Sequence, residues 1–421
     1  MNSNNRANGF SVRCVKNRYL PLSFMKTMKM SSDKQLLYDL FQAYCDARKN
    51  KRNTVNALAF EINHERKIFE LYEEIKNGTY EIGPSICFVI FKPIQREIFA
   101  ADFRDRIVHH LIYNYINPIF ERLFIYDSYG CREEKGTSLG IKRVDHFIRS
   151  CSQNYTRDCH ILKIDIEGYF MSIDRDILYR KIENTLHRFR NNVNFDLDLV
   201  LFLIRKVVFH DPIKNCTIKG RKDNWKGLPE TKSLFFAERN KGFPIGNLTS
   251  QLFGNVYLND FDHFIKYGLG CRHYGRYVDD VVILHQNIEY LKSIIPLAKQ
   301  YLRNELSLKL HPKKIYLQHF SKGVPFLGTV IKPYRIYIRN RIKGNFYQKI
   351  QYWNDFLGER QARFGKKETS IFLSGMNSYL GMMKHYNTYK LRKKMLIQNL
   401  STHLWDYFYI SKDYNKLILR N

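Results

Sequence analysis

Apolar residues first fall into a helical rhythm at Ser32-Asp33, an N-capping pair, after which Leu36, Leu37, Leu40, Phe41 and Tyr44 share one face. A second helical pattern runs from about residue 56 and stops at Asn77-Gly78, a good C-terminal signal. "SICFVIFKP" then reads as a strand. "REIFAADFRDRIVHHLIYNYINPIFERLF" starts extended and becomes a long amphipathic helix from about Asp102. "HILKIDIEGYF" opens as a short apolar strand, and "DRDILYRKIENTLHRF" resumes helical spacing. Residues 210–243, rich in Lys, Gly, Pro and Asn, read as a loop or insertion. "IGNLTSQLFGNVYLNDFDHFIK" is again helical, with Gly246 and Asn247 before its first turn. "HYGRYVDDVVILH" reads as two short strands around a tight turn. A helix from about Ile288 to Leu306, the segment "LHPKKIYLQ" and a hairpin in "VPFLGTVIKPYRIYI" follow, and beyond about residue 343 the pattern is helical. The polar, basic residues 1–30 would order only by docking on something else. This alternation of strands and helices predicts a mixed α/β fold.

One stretch breaks the rules for an apolar strand. In "GRYVDDVVIL" the adjacent Asp279 and Asp280 sit among Val278, Val281, Val282, Ile283 and Leu284, where two carboxylates repel each other and lose water. A cation must compensate them, either a buried Arg or Lys or a metal. A two-metal phosphoryl-transfer site needs carboxylates from more than one element, because ions ~3.5–4 Å apart must be bridged and capped by oxygen ligands. Asp165, near the end of the apolar run Ile161, Leu162 and Ile164, supplies the second source. The competing reading of Asp165 is an N-cap for the helix that follows.

Charge changes the picture further. With 69 Lys+Arg against 40 Asp+Glu, the net charge of +29 predicts a polyanionic partner. No uninterrupted apolar stretch approaches the ~18–20 residues that span a membrane, so nucleic acid is a better partner than lipid. The eight cysteines form neither C-x-x-C pairs nor a zinc-like cluster with histidines, which predicts reduced thiols in a cytoplasmic protein. "MNSNNRANGFSVRC" has no apolar core of a signal peptide, so secretion is not indicated.

The ordered blocks "KIDIEGYF", "GFPIGNLTSQLFGNVYLNDFD", "YVDD", "LHPKK" and "VPFLGTVI" resemble the palm motifs of reverse transcriptases, over roughly residues 80–335. The resemblance implies a right-hand polymerase fold: an N-terminal extension over 1–55, fingers with part of the palm over 56–150, a palm of antiparallel sheet and helices over 151–334 that includes the insertion 210–243, and a basic helical thumb over 335–421. "IGNLTSQ", "REIFAADFRDRIVHH" and "KSLF" resemble the diversity-generating retroelement branch of that family. Where most members carry Gln-Gly and Ser-Pro, this chain has Ile245-Gly246 and Ser250-Gln251. Replacing an amide by the apolar Ile245 removes a hydrogen-bonding group and weakens base-pair discrimination, as expected of an enzyme that miscopies its template.

The resemblance assigns Asp165, Asp279 and Asp280 as catalytic ligands of two Mg²⁺ ions, with Mn²⁺ able to substitute and the Ile166 carbonyl as an additional ligand. Phe170 matches a steric gate against a ribose 2′-hydroxyl, an ordinary core phenylalanine being the alternative. Arg96, assisted by Lys92, matches the grip on the triphosphate, against the alternative of solvated surface charges. Gly246 would let the backbone approach the base pair, with Ser250 and Gln251 lining the template side. Lys314 matches a lysine that protonates pyrophosphate, Lys313 being its rival, and Phe326, Leu327 and Gly328 resemble a primer grip. Arg104 and Arg106 would pair with Asp102 or Asp105, or touch template phosphate.

From 332 to 421, 18 Lys+Arg face 5 Asp+Glu with aromatics interleaved, a composition suited to tracking a duplex backbone and equally to a basic bundle with an aromatic core. The implied partners are dNTPs, a template RNA and its RNA/DNA heteroduplex, and an accessory variability protein built as a basic helical oligomer; the implied setting is a bacterial or phage-encoded cytoplasmic enzyme. The runner-up role is an antiphage-defence or retron-type reverse transcriptase. A catalytically silent RNA-binding scaffold would have lost a metal carboxylate, whereas Asp165, Asp279 and Asp280 are all present.

Overall fold

The computed structural model describes residues 32–49, 54–91, 94–360 and 365–420. Lys92 and the N-terminal segment expected to order by docking lie outside the described residues. Three helices, α1 (Ser32–Arg48), α2 (Val55–Glu61) and α3 (His64–Lys76), precede strands β1 (Ser85–Ile90) and β2 (Arg96–Ala100) and the long helix α4 (Phe103–Leu123). Helix α5 (Thr137–Cys151) leads into β3 (His160–Asp165), the single turn α6 (Tyr169–Ser172), α7 (Arg175–Arg188), α8 (Leu197–Phe209) and β4 (Cys216–Ile218). Next come α9 (Leu248–His263), β5 (His273–Tyr277), β6 (Asp280–His285), α10 (Ile288–Leu306) and β7 (Tyr316–His319). A meander of β8 (Val324–Phe326), β9 (Thr329–Lys332) and β10 (Arg335–Ile338) then gives way to α11 (Asn340–Arg360), α12 (Lys366–Met383), α13 (Tyr389–Asn399) and the hairpin β11 (Phe408–Ile410) and β12 (Leu417–Leu419).

The central sheet has the order β5-β6-β3-β7, and each pairing is antiparallel. Its middle strands are covered on both sides, which explains why β6 reads as the unbroken run Val281-Val282-Ile283-Leu284 rather than as an alternation. Val281 and Ile283 face a core shared with Leu291 and Ile294 of α10, whereas Val282 and Leu284 face Ile141, Val144 and Phe147 of α5 and Val324 and Phe326 of β8. Helix α4 starts because the Asp102 side chain accepts from the Arg104 amide. It buries Ile107, Val108, Leu111, Ile112, Ile116 and Phe120 at three- and four-residue spacing.

The mixed α/β class is as expected, with four local differences. The second helix is two helices, broken where Asn63 takes a left-handed conformation with φ 60°. The stretch 210–243 is not all loop, since β4 pairs in parallel with β1, Ser85 opposite Cys216. The expected hairpin at 324–338 is a three-stranded meander. The C-terminal region is not wholly helical, because β11 and β12 close it as an antiparallel pair around a core that includes Trp353, Phe372 and Met376. Its aromatics divide: Trp353 is buried while Tyr352 is 61% exposed.

Arg104 pairs chiefly with Glu74 and more loosely with Asp105, and Arg106 Nε donates to the Ala101 carbonyl, so neither arginine is paired with Asp102. Among the described residues no helix is long and apolar enough to cross a membrane, and the seven cysteines carry free thiols.

Helices α4 and α9 are joined by His109, whose Nδ1 lies 2.7 Å from Thr249 Oγ1. Burial, reinforced by His110, His210 and Arg106, lowers the His109 pKa from 6.5 to about 3. The unfolded chain therefore takes up a proton below about 6.5 that the folded chain refuses, and stability falls as pH drops from there toward 3. Denaturant midpoints measured between pH 7 and pH 4 should decline, and His109→Gln should flatten that decline.

Candidate active site

Strand register alone brings the predicted carboxylates together. Asp165, the last residue of β3, is the direct cross-strand partner of Asp280, the first residue of β6. Tyr277 pairs with Asp280 across the β5–β6 hairpin, leaving Val278 and Asp279 as the two turn residues. Val278 sits at φ 56°, a conformation that a β-branched residue adopts only when its surroundings impose it.

Those surroundings are built from buried polar groups. Arg276 is fully buried and forms a two-pronged ion pair with Asp262, both contacts 2.6 Å, while Tyr274 also donates to Asp262. A third nitrogen, Arg276 Nη1, donates to the Val278 carbonyl at 2.7 Å and so fixes the turn from below. Backbone bonds from Arg276 N to Asp127 O and from Tyr129 N to Arg276 O attach β5 to the 127–130 loop. That loop leaves no space for side chains: a Cβ at Gly130 would lie 2.8 Å from the Val278 nitrogen, and one at Gly275 would lie 2.6 Å from the Tyr129 hydroxyl.

The cation demanded by the paired aspartates is in part supplied by lysines. Lys163 Nζ lies 2.9 Å from Asp280 Oδ1, and Lys314 Nζ lies 2.8 Å from Asp165 Oδ1. Lys163 also donates to the Pro325 carbonyl at 2.8 Å, tying the acidic edge to β8. Lys314, not Lys313, faces Asp165. Asp279 has no ion-pair partner among the described residues; burial, with repulsion from Asp165 and Asp280, raises its pKa to about 6. Burial also raises Asp280, against the pull of Lys163.

Three oxygen-donor side chains on adjoining strand ends, one of them held up by burial and by like charge, are of the type that a hard divalent cation takes as ligands. Among the described residues no three His, Cys, Asp or Glu side chains are drawn together into a ready-made metal cage. Lys163 and Lys314 instead hold two of the carboxylates. The segment after β3 is fixed by His311 N to Asp165 O and Glu167 N to Lys309 O, and neither bond uses the Ile166 carbonyl.

The other predicted residues divide into a gathered group and a separate one. Phe170 and Ile245 both pack on one small cluster that contains Phe99 and Met171, and a Cβ at Gly254 would meet the Phe170 ring at 3.3 Å. Gly246, at φ 135°, makes its close approach to the chain itself: a Cβ there would lie 2.9 Å from the Phe99 carbonyl oxygen. Arg96 is exposed at the start of β2. Gln251 is exposed, but Ser250 is buried and faces the core rather than an open template surface. Phe326 is buried, and Leu327 and Gly328, both at positive φ, form the tight β8–β9 turn.

Lys163, Asp262 and Arg276 were not read from the sequence as parts of the site. Alternation offered a signal for the first, since Lys163 and Asp165 are two apart on one strand and share a face. Nothing local pairs Arg276 with Asp262, which sits on a different element.

Residues 95–331 match the family described as Reverse transcriptase (RNA-dependent DNA polymerase). Protein YkfC of Escherichia coli (strain K12) is 24% identical over 293 residues, covering 61% of this chain and 69% of that protein. Among solved structures, apo telomerase from Candida tropicalis truncated from its C-terminal domain aligns with a TM-score of 0.44 and 12% identity, over 61% of this chain and 55% of that one. Telomerase from Candida albicans in complex with a TWJ fragment of telomeric RNA aligns with a TM-score of 0.45 and 12% identity, over 79% of this chain and 59% of that one. The chain thus spans less than two thirds of either telomerase chain.

Replacing Arg276 by Met would strand the buried Asp262 charge, and a loss of about 3–5 kcal/mol is expected in denaturant unfolding. Adding Asp262→Leu to that variant should restore part of the loss, because the orphaned charge is then gone as well.

Proposed function

The chain belongs to the reverse transcriptase (RNA-dependent DNA polymerase) family, and on that premise we propose that it is the RNA-directed DNA polymerase of a diversity-generating retroelement, copying a structured template RNA into cDNA with errors at template adenines. The observation that carries the polymerase reading is the register of β3 against β6, which sets Asp165 opposite Asp280 with Asp279 on the adjoining turn. These three side chains, with the Ile166 carbonyl, would hold two Mg²⁺ ions. When bound, the ions supply activation of the primer 3′-hydroxyl and charge neutralisation of the leaving pyrophosphate.

The chain's own groups do the rest. Lys314, whose ammonium pairs with Asp165, would donate a proton to the leaving pyrophosphate. Arg96, with Lys92 on the same segment, grips the triphosphate, and Phe170 excludes a ribose 2′-hydroxyl. Phe326, Leu327 and Gly328 support the primer, joined to Asp280 through Lys163, while Gln251 faces the template. In this reading residues 56–150 act as fingers, 151–334 as palm and 335–421 as a thumb whose basic surface tracks the heteroduplex. The net charge of +29 supports the nucleic-acid partner.

The diversification role is supported by Ile245. An apolar side chain stands where an amide would hydrogen-bond the incoming base pair, and its neighbours Phe99 and Phe170 are apolar too. Such a wall checks shape and little else. An accessory basic helical protein and a cognate template-repeat RNA complete the proposed cytoplasmic, bacterial or phage-encoded system.

Primer extension on RNA templates with Mg²⁺, followed by product sequencing, tests this. The parent should give cDNA with errors concentrated at template adenines, and Asp279→Ala with Asp280→Ala should lose synthesis by about 10³-fold or more, beyond the loss of a single electrostatic stabiliser. Ile245→Gln should lower the adenine error frequency. cDNA without an adenine bias would leave the polymerase standing and remove the diversification role. No synthesis from the parent, even with accessory protein and cognate RNA, would remove both.

A further inference from the structure

Two segments that resemble one branch of the family, "REIF" at 96–99 and "KSLF" at 232–235, have no role in the carboxylate chemistry. The polar tie between them centres on Glu97. Glu97, on β2, is 1% exposed, and its carboxylate accepts three hydrogen bonds from the stretch 222–236. Trp225 Nε1 and Ser233 Oγ donate to Oε2 at 2.7 and 2.8 Å, and the Leu234 amide donates to Oε1 at 2.7 Å. A second tie comes from Gln95, whose Nε2 donates to the Asn224 carbonyl at 2.8 Å. A carboxylate that collects three donors from one polar loop, out of contact with water, fixes that loop far more firmly than apolar packing alone would.

What lies beside the clasp gives it a use. Alternation along β2 puts Glu97 and Phe99 on one face. Phe99 shares its cluster with Leu234 and Trp225 of the clasped stretch, and with Met171, Phe170 and Ile245. The Phe99 amide donates to the Ile245 carbonyl at 2.9 Å, and the Phe243 amide donates to the Phe170 carbonyl at 2.7 Å. The same stretch presses on the backbone before Phe170, since a Cβ at Gly168 would lie 2.6 Å from the Thr231 carbonyl oxygen.

We propose that Glu97 is a positioning residue for nucleotide selection: by clasping the 222–236 stretch to β2 it sets, through the buried Phe99, the wall of Phe170 and Ile245 against which the incoming deoxynucleoside triphosphate is tested. This rests on the polymerase reading above. Glu97 touches no substrate and acts through its neighbours. The 222–236 stretch is therefore part of the selectivity device rather than a spacer, and the shape of that wall depends on hydrogen bonds made behind it.

The test compares the parent with Glu97→Gln and with the milder Ser233→Ala and Trp225→Phe, under single-nucleotide incorporation. The expected result is a KM for the correct dNTP raised by about tenfold or more in Glu97→Gln, as befits a lost hydrogen bond to a charged group, with kcat and primer–template affinity little changed. The ratio of correct to incorrect incorporation opposite adenine should shift in all three variants. Hydrogen exchange without nucleotide gives a readout independent of activity: in Ser233→Ala the amides of 96–101 and 243–249 should exchange faster, while those of 160–165 should not. Unchanged KM and selectivity in an active Glu97→Gln, losses that simply follow the melting temperature, or exchange changes confined to 222–236 would each overturn the proposal. A parent that makes no cDNA would instead overturn the polymerase reading and nucleotide selection with it, the exchange measurement still deciding whether Glu97 couples the segments.

Discussion

The buried ion pair of Arg276 with Asp262 is the constraint on which the rest of the site depends. A charged guanidinium with no access to water is tolerable only when its donors are met, and here they are met by Asp262, the Val278 carbonyl and weaker contacts to Asn255 and Ser128. These partners come from α9, from the hairpin turn and from the loop after α4. One side chain thus fixes the relative position of three separate parts of the chain. It also holds Val278 in a backbone conformation that the residue would otherwise leave, and with it the direction in which Asp279 points.

Above that anchor the acidic edge is assembled by strand pairing rather than by loops. The two-sided burial of β3 and β6 leaves their register no freedom, because a one-residue slip would exchange the faces of Val281, Val282, Ile283 and Leu284 between two different cores. All four side chains would stay buried after such a slip, so its cost lies in misfit: each would meet a core shaped for another residue, at about 1–3 kcal/mol per overpacked site. Lys163 and Lys314 reduce the repulsion between Asp165 and Asp280 that the native register imposes.

Much of this could be read from the residues, and the exceptions have physical reasons. The strand ends that carry Asp165, Asp279 and Asp280 were readable because apolar runs cut off by carboxylates are rare and informative. Helix α8 buries Leu197, Val200, Leu201, Ile204, Val207 and Val208 at helical spacing, but further apolar residues between them blur that rhythm in the linear sequence, and the three residues of β4 are too few to show any. The break at Asn63 and the buried Ser250 were set by tertiary packing, against the local pattern. Arg276, Asp262 and Glu97 stayed hidden for a shared reason: a buried charge shows its purpose only beside its partner, and each partner lies on another element.

The short strand β4 has a consequence for how the chain reaches this structure. Its pairing with β1 joins Ser85 to Cys216, so the N-terminal sheet is completed only by residues that follow β3, α7 and α8. During synthesis the first two hundred residues must emerge with that sheet's edge still open, and an open edge is a template for wrong pairing. Contacts so distant along the chain also slow the search for the folded state. Residues far apart in the linear order thus share one sheet, and the chain cannot be divided between β1 and β4 without unmaking it.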